Sequence, residues 1–166
     1  MWKFRHDALL STSLAFHMGL SSSKRCCMCN RDSIGVNHYI ACEKTKPMWK
    51  YVEQLYNRSG FTWKSSHKFK GVNTAGWFCL NHLIRAAYLL TIDCVLCKLN
   101  RLPHDDDLPG DFRRKLFEIL YFQLYTAKLY GNHKINAFHA NLLPLNFLYK
   151  IDCNSIDIRH RSFQTS

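Results

Sequence analysis

The sequence predicts a mainly α-helical protein, a small helical domain with one metal-binding knuckle between its first two helices. Apolar residues recur every three to four positions in four stretches, the spacing that gives a helix one buried face. Cysteine and histidine lie close together between the first two stretches, spaced as paired metal ligands. Hydrophobic residues make up 47% of the 166 residues, which is enough to build the core of one domain.

The knuckle is the most distinctive motif of the chain. Cys26 and Cys29 form one close pair, and His38 and Cys42 form a second pair after a short loop. Zinc favours thiolate and imidazole ligands in a closed tetrahedron, which two such pairs supply. Cys27 is an alternative to Cys26, although its spacing to Cys29 is tighter. We therefore expect a CCHC-type zinc knuckle with structural Zn²⁺; inert thiols beside a surface histidine are the competing interpretation.

Helices are expected on both sides of the knuckle. The first lies within residues 2–17, with Leu10 and Leu14 at helical spacing, and ends before Gly19. The second follows the knuckle, has Pro47 in its first turn and ends at Gly60. Its expected buried face consists of Met48, Trp49, Val52, Leu55 and Tyr56.

Two longer helices are expected in the second half of the chain. Residues 77–97 are apolar on nearly every side, as in a central buried helix. The next helix spans residues 111–130, with Asp111 as its N-cap and Gly131-Asn132 after its end. Its expected buried stripe consists of Phe112, Leu116, Leu120, Leu124 and Ala127.

These elements suggest four segments along the chain. Residues 1–58 are the knuckle with its flanking helices, and residues 59–76 are a basic linker. Residues 77–133 are a helical C-terminal region, and residues 134–166 are a weakly structured tail. In the linker, Trp63 and Phe69 stand among lysines and histidine. Such aromatic residues either stack on bases or attach a loop to the core.

The charge of the chain favours a polyanionic partner. The net charge is +11, and residues 1–70 carry 12 Lys and Arg against four acids, so the excess surrounds the knuckle. Nucleic acid, either RNA or DNA, is the expected partner, because phosphates are neutralised by such residues. A solvated basic surface without a partner is the alternative.

The eight cysteines raise the question of the cellular compartment. Arg5, His6 and Asp7 interrupt the N-terminal apolar run, which is atypical of a secretory signal peptide. We therefore expect an intracellular protein, nuclear or cytoplasmic and not secreted. The most apolar stretch contains Arg85 and Asp93, which are costly in hydrocarbon, so no membrane association is expected.

A second group of potential ligands lies further along the chain, at Cys79, His82, Cys94 and Cys97. Both pairs fall on one expected helix, about 20 Å apart at 1.5 Å rise per residue. A continuous helix cannot bring them to one ion. Core packing is the favoured interpretation, and metal binding here stays an open alternative.

Four motifs of the first third of the chain resemble the zinc-binding region that follows the polymerase domain in non-LTR retrotransposon reverse transcriptases. They are Met18-Gly19-Leu20, Cys26-x2-Cys29, the step from His38 to Cys42, and Trp49-x2-Val52. A weaker similarity lies in the stretch LFEILYFQLYTAKLYGNHK. The family usually has a glutamate shortly before the histidine, where this chain has Gly35-Val36-Asn37. The contacts that orient the His38 ring are therefore expected to differ from those of the family.

The resemblance implies an accessory module that helps to hold template RNA or target DNA, and a chain that is a fragment or remnant of such an element. No polymerase domain and no Tyr-x-Asp-Asp motif are present in the sequence, so no catalysis is expected. The residues expected to contact nucleic acid are Lys24, Arg25, Arg31, Lys44, Lys46 and Lys50 on phosphates, with Tyr39 stacking on a base.

Two other classes of function compete with nucleic-acid binding. The same knuckle could join two helices of a non-catalytic protein-interaction domain. An enzyme that uses zinc is less favoured, because catalytic zinc keeps one coordination position open and four protein ligands close the site. No small-molecule substrate is expected.

Overall fold

The computed structural model describes residues 11–32, 37–64, 78–97, 107–151 and 155–159. This part of the chain is mostly helical, as the sequence predicts, with a two-stranded sheet near its end. The α-helices are α1 (Thr12–His17), α2 (Asn37–Ala41), α3 (Lys46–Arg58), α4 (Phe78–Cys97), α5 (Leu108–Leu129) and α6 (Asn132–Leu142). The 3-10 helices are Glu43–Thr45 and Leu143–Leu148, and the strands are β1 (Tyr149–Ile151) and β2 (Ile156–Ile158).

Helices α1 and α3 end in the same way, at a glycine with positive φ. The angle is 70° at Gly19 and 79° at Gly60. After α1, the Leu20 N–H donates to the Ala15 carbonyl at 2.8 Å, and an equivalent bond closes α3. This is the Schellman arrangement, which glycine adopts without the steric cost of a Cβ. The expected ends of both helices are confirmed.

Side-chain caps set the beginnings of α1 and α5. The Ser11 hydroxyl accepts from the Leu14 N–H at 3.1 Å, while residues 1–10 of the expected first helix lie outside the described residues. Helix α5 begins earlier than expected, because the Asp107 carboxylate accepts from the Gly110 N–H at 3.0 Å. The prediction of Asp111 as the N-cap is therefore wrong: its carboxylate lies inside the helix and pairs with Arg114.

The chain divides into two units, and the first comprises Met1–Tyr51 and Arg85–Lys115. Aromatic side chains dominate its core: the Trp49 and Tyr88 rings stack at 4.7 Å, and Phe112 meets the edge of Tyr51 at 6.1 Å. Buried aromatic pairs of this kind add favourable contact energy to the area that they remove from water. This unit contains the knuckle cysteines. The four segments expected from the sequence stay a prediction.

The second unit comprises Val52–Ile84 and Leu116–Ser166. Tyr56 is buried at its centre and donates a hydrogen bond to the Asn81 side-chain oxygen. The Trp63 ring packs on Tyr56 with centroids 4.7 Å apart, so this aromatic attaches its loop to the core. Phe69 lies outside the described residues.

The four large residues of the α5 stripe, Phe112, Leu116, Leu120 and Leu124, are buried as expected.

The described residues after α5 contain a helix and a short hairpin. Helix α6 is followed by a hairpin in which Tyr149 pairs with Ile158 and Ile151 with Ile156. The Arg159 N–H donates to the Leu148 carbonyl at 2.8 Å and extends the pairing. The strands span only three residues each, which is too short for a two-residue period to be recognised in the sequence.

Candidate metal centre

The structure brings the four residues of the knuckle motif together. Cys26 and Cys29 lie in the turn after α1, His38 lies in α2, and Cys42 directly follows α2. One ligand atom from each residue lies within 4.8 Å of all the others, and the Cys29 Sγ is 3.3 Å from the His38 Nε2. Both Cys26 and Cys42 are buried, while the other two residues are half-buried. The group therefore faces away from bulk water.

The turn that carries the first cysteine pair has a defined backbone. An isolated antiparallel bridge joins Arg25 to Asp32, and the Cys26 N–H donates to the Arg31 carbonyl at 2.8 Å. Asn30 adopts φ 58°, a left-handed conformation that asparagine tolerates better than most residues. This local fold places the sulfurs of Cys26 and Cys29 on the same side of the turn.

Helix α2 carries the second pair of donors. His38 lies in α2, and Cys42 follows four residues later, directly after the end of the helix. The buried Thr45 hydroxyl contacts the carbonyl oxygens of Tyr39 and Cys42, each at 2.8 Å. The Tyr88 hydroxyl donates to the same Tyr39 carbonyl at 2.7 Å. Side chains from two other parts of unit 1 thus fix the backbone between these two donors.

The thiols influence one another strongly. The pKa of Cys26 lies far below the usual thiol range, because the thiols of Cys27 and Cys42 donate to its sulfur and backbone N–H groups nearby add to this. The pKa values of Cys27 and Cys42 are raised, since each donates to Cys26 and burial disfavours a second negative charge. The thiolate, which is the form that ligates metals, is therefore favoured at Cys26 over Cys27 and Cys42.

The donor set fits one metal ion. A tetrahedral site with Zn–S bonds of about 2.3 Å and Zn–N bonds of about 2.0 Å separates its donor atoms by about 3.5 to 3.8 Å. The Cys29 and His38 donor atoms are 3.3 Å apart, and no two donor atoms of the group are more than 4.8 Å apart. Among the described residues, no disulfide joins the cysteines of this group. The cluster is consistent with a metal site, and its chemistry leaves the metal open.

Cys27 lies beside the group but outside it. The four clustered donors include Cys26 and not Cys27, although the Cys27 thiol hydrogen-bonds to the Cys26 sulfur. Of the two alternatives that the sequence leaves open, the geometry therefore favours Cys26 as the donor.

The expected nucleic-acid contacts divide into three groups. Five basic side chains close in sequence to the cluster residues are exposed: Lys24, Arg25, Lys44, Lys46 and Lys50. Arg31 is also exposed, and its guanidinium forms an ion pair with Glu43 at 2.7 Å. Tyr39 has no exposed surface, and its hydroxyl accepts from the Thr12 N–H at 3.0 Å. The expectation that Tyr39 stacks on a base is therefore wrong, because its ring is part of the core.

Among the side chains that the structure describes, the second group of potential ligands forms no metal-binding cluster. Helix α4 runs without a break from Phe78 to Cys97, so the two pairs stay on separate turns as the sequence argument requires. His82 is half-buried and Cys94 is exposed. The side chains of Cys79 and Cys97 lie outside the described part of the structure.

Sequence reasoning missed the residues that support the cluster. No pattern in the sequence assigns a role to Thr12, Thr45 or Tyr88, yet all three bond to the backbone or hydroxyl groups next to the donors. A buried tyrosine hydroxyl usually has a hydrogen-bond partner, which is the signal that could have pointed to Tyr39 and Tyr88.

Comparisons with known proteins found no matching family model, no matching curated protein and no matching solved structure. Among the described helices, none combines the length and the apolar character that crossing a bilayer requires.

Proposed function

We propose that this chain is a zinc-dependent nucleic-acid-binding module, in which Cys26, Cys29, His38 and Cys42 hold one structural Zn²⁺ ion. The observation that carries the proposal is the cluster itself: four soft donors lie within 4.8 Å of one another, and the lysine and arginine side chains of the segments that carry them are exposed. Thiolate and imidazole donors in this number are typical of structural zinc.

The zinc has a structural role in this proposal. Four protein donors leave no open position for water or substrate, so the ion serves to hold the turn at Cys26 and Cys29 against α2. Such ions contribute folding energy directly. The proposal accordingly assigns no catalytic activity to the chain, and places it in a reducing compartment inside the cell, where thiolate ligands persist.

The charge near the cluster suits phosphate. Residues 11–32 and 37–50 contain six Lys and Arg against two acids, and all six basic side chains are exposed. A Zn²⁺ ion with three thiolates and a neutral imidazole carries a net charge of about −1, which leaves the region positive. Each phosphate that a lysine or arginine neutralises releases counterions, which favours binding at low salt.

The proposal includes an origin in the zinc-binding region of non-LTR retrotransposon reverse transcriptases. The positions of the motif residues in the structure support this part of the proposal. Gly19 ends α1, the cysteine and histidine ligands converge, and Trp49 and Val52 face the core from α3.

A second candidate function is a non-catalytic protein-interaction domain held together by the same zinc. One observation favours it: the C-terminal half of α5 and the residue after it expose a group of large apolar side chains, Tyr121, Phe122, Tyr125, Leu129 and Tyr130. Exposed apolar patches of this kind often mark surfaces that bind other proteins.

The test is a paired measurement of zinc content and nucleic-acid affinity. We expect about one equivalent of zinc in the purified chain and its loss in Cys29→Ser, with Cys27→Ser as the matched control that keeps the metal. Binding of single-stranded RNA and DNA is then titrated against salt. A steep linear fall of log affinity with log salt is expected. Weak, salt-independent binding of a zinc-loaded chain would instead favour the protein-interaction domain.

A further inference from the structure

The exposed ring of Phe16 has the surroundings of a stacking position for a nucleic-acid base. Phe16 lies in the last turn of α1, and 37% of its surface is exposed. The Lys24 ammonium lies over its ring at 5.1 Å from the centroid. His17 meets the ring edge-on, with centroids 5.9 Å apart. A cation and two rings thus meet at the surface of the same unit as the cluster.

We propose that Phe16 and Lys24 form a binding site for one nucleotide of a single-stranded nucleic acid, in which the base takes the place of the Lys24 ammonium on the Phe16 ring and the ammonium pairs with the phosphate. This inference rests on the proposed function and names the position at which a base is held. Stacking platforms beside cationic side chains are the usual means of binding single strands without sequence preference.

The positive charge near Phe16 favours a nucleic acid as the ligand. Lys24 and Arg25 are exposed, and both belong to the polar turn that joins α1 to the cluster. The described segment 11–32 of this unit contains three Lys and Arg against one acid, Asp32, whose backbone is bridged to Arg25. Phosphate is therefore favoured here, and the ring supplies the contact that a base requires.

A lipid surface fits the same residues less well. Leu14, Met18 and Leu20 are also exposed, which adds apolar area near Phe16. However, α1 has only six residues, and positions two apart do not face the same side of a helix. The exposed apolar side chains therefore do not form the single long apolar face that interfacial helices present to a bilayer.

The site also accounts for the base contact that Tyr39 cannot make. Tyr39 is held inside the core by Thr12, the first residue of α1. Phe16 lies one turn further along the same short helix and is exposed. The ring available to a ligand is therefore Phe16.

The decisive experiment uses two ligands of equal charge. One is a single-stranded oligothymidylate of about twelve nucleotides, a length within the usual site size. The other is the abasic deoxyribose-phosphate oligomer of the same length, which has the phosphates but no bases. Affinities of the full chain for both are measured by fluorescence anisotropy. Zinc content and circular dichroism confirm that each variant is folded.

Phe16→Ala is expected to weaken oligothymidylate binding about 5- to 20-fold and to leave binding of the abasic oligomer within about twofold. Phe16→Trp should restore the affinity and Phe16→Leu should not, because stacking requires an aromatic face. Lys24→Gln should weaken both ligands and lower the salt slope by about one unit or slightly less. Phe122→Ala, which truncates an exposed phenylalanine in the other unit, is the matched control and should change neither.

Three outcomes would overturn the inference. Unchanged oligothymidylate binding in Phe16→Ala would refute it while the proposed function stands. Equal losses on both ligands would show that the ring does not contact a base. Loss of binding to phosphatidylserine–phosphatidylcholine vesicles in Phe16→Ala, with unchanged oligothymidylate affinity, would assign the patch to lipid. If the unsubstituted, zinc-loaded chain binds neither oligomer at low salt, the proposed function itself fails.

Discussion

Replacing Cys29 by serine is expected to unfold more of the chain than the segment that contains the metal ligands. From the sequence alone, the loss of structure would stop near residue 58, where the first segment is expected to end. The hydrogen bond from Tyr88 to the Tyr39 carbonyl and the stacking of Tyr88 on Trp49 connect the cluster to part of α4. Because Arg85–Lys115 belongs to unit 1, we expect that stretch to unfold as well.

The size of the effect follows from the energies involved. A structural zinc ion contributes about 10 to 16 kcal/mol of apparent binding free energy at neutral pH. A whole domain is stable by only about 5 to 15 kcal/mol, so unit 1 does not stay folded once the metal is lost. Unit 1 contains about half of the described α-helical residues, whereas α1, α2 and α3 together contain about a third.

Circular dichroism and hydrogen exchange distinguish the two expectations. Loss of about half of the helical signal, with lost protection in peptides from residues 85–97, is the expected result for Cys29→Ser. Cys94→Ser, which changes an exposed cysteine, should behave like the unsubstituted chain. A loss limited to about a third, with residues 85–97 still protected, would refute the reasoning about Tyr88. Full retention of helicity would refute the structural role of the metal.

Three further changes test other features of the structure. Tyr88→Phe removes the hydroxyl that donates to the Tyr39 carbonyl but keeps the stacked ring, so denaturant titration should show a loss of about 1 kcal/mol, with Tyr121→Phe as the exposed control. Asn30→Val should lower stability by about 1 to 2 kcal/mol and weaken zinc retention against a chelator, because φ is 58° there, whereas Asn30→Gly should be tolerated. Burial raises the pKa of Tyr149 to about 12, above the value near 10 of an unfolded chain. The unfolded state therefore loses this proton at a lower pH than the folded state, so stability should fall as pH rises from about 10 to 12. Tyr149→Phe should reduce that fall.

Local patterns in the sequence were sufficient to predict most of the helices. The ends of α1 and α3 follow from Gly19 and Gly60, and the buried face of α3 follows from its helical spacing. The start of α5 was misplaced because two aspartates, Asp107 and Asp111, both suit an N-cap, and only the hydrogen bond to Gly110 decides between them. A helix end can be predicted from the sequence when only one residue nearby is suited to cap it.

Long-range contacts account for what the sequence could not provide. The spacing of the donors predicted which side chains come together, since each pair is local. Whether Tyr39 faces solvent depends on Thr12 and Tyr88, which are 27 and 49 residues away, and no local pattern specifies that packing. The hairpin of β1 and β2 was missed for the opposite reason, because its strands are too short to show a period.

The position of Tyr88 in the chain also affects how the protein is made. The four candidate metal ligands leave the ribosome before Tyr88, which follows Tyr39 by 49 residues. At about 5 to 20 residues per second, this interval lasts about 2 to 10 s. During that time the nascent chain has a complete set of donors, while the Tyr39 carbonyl still lacks the Tyr88 hydroxyl as a partner. Early zinc capture would protect the thiols from oxidation in this interval, so the supply of metal during translation should influence how much intact protein is obtained.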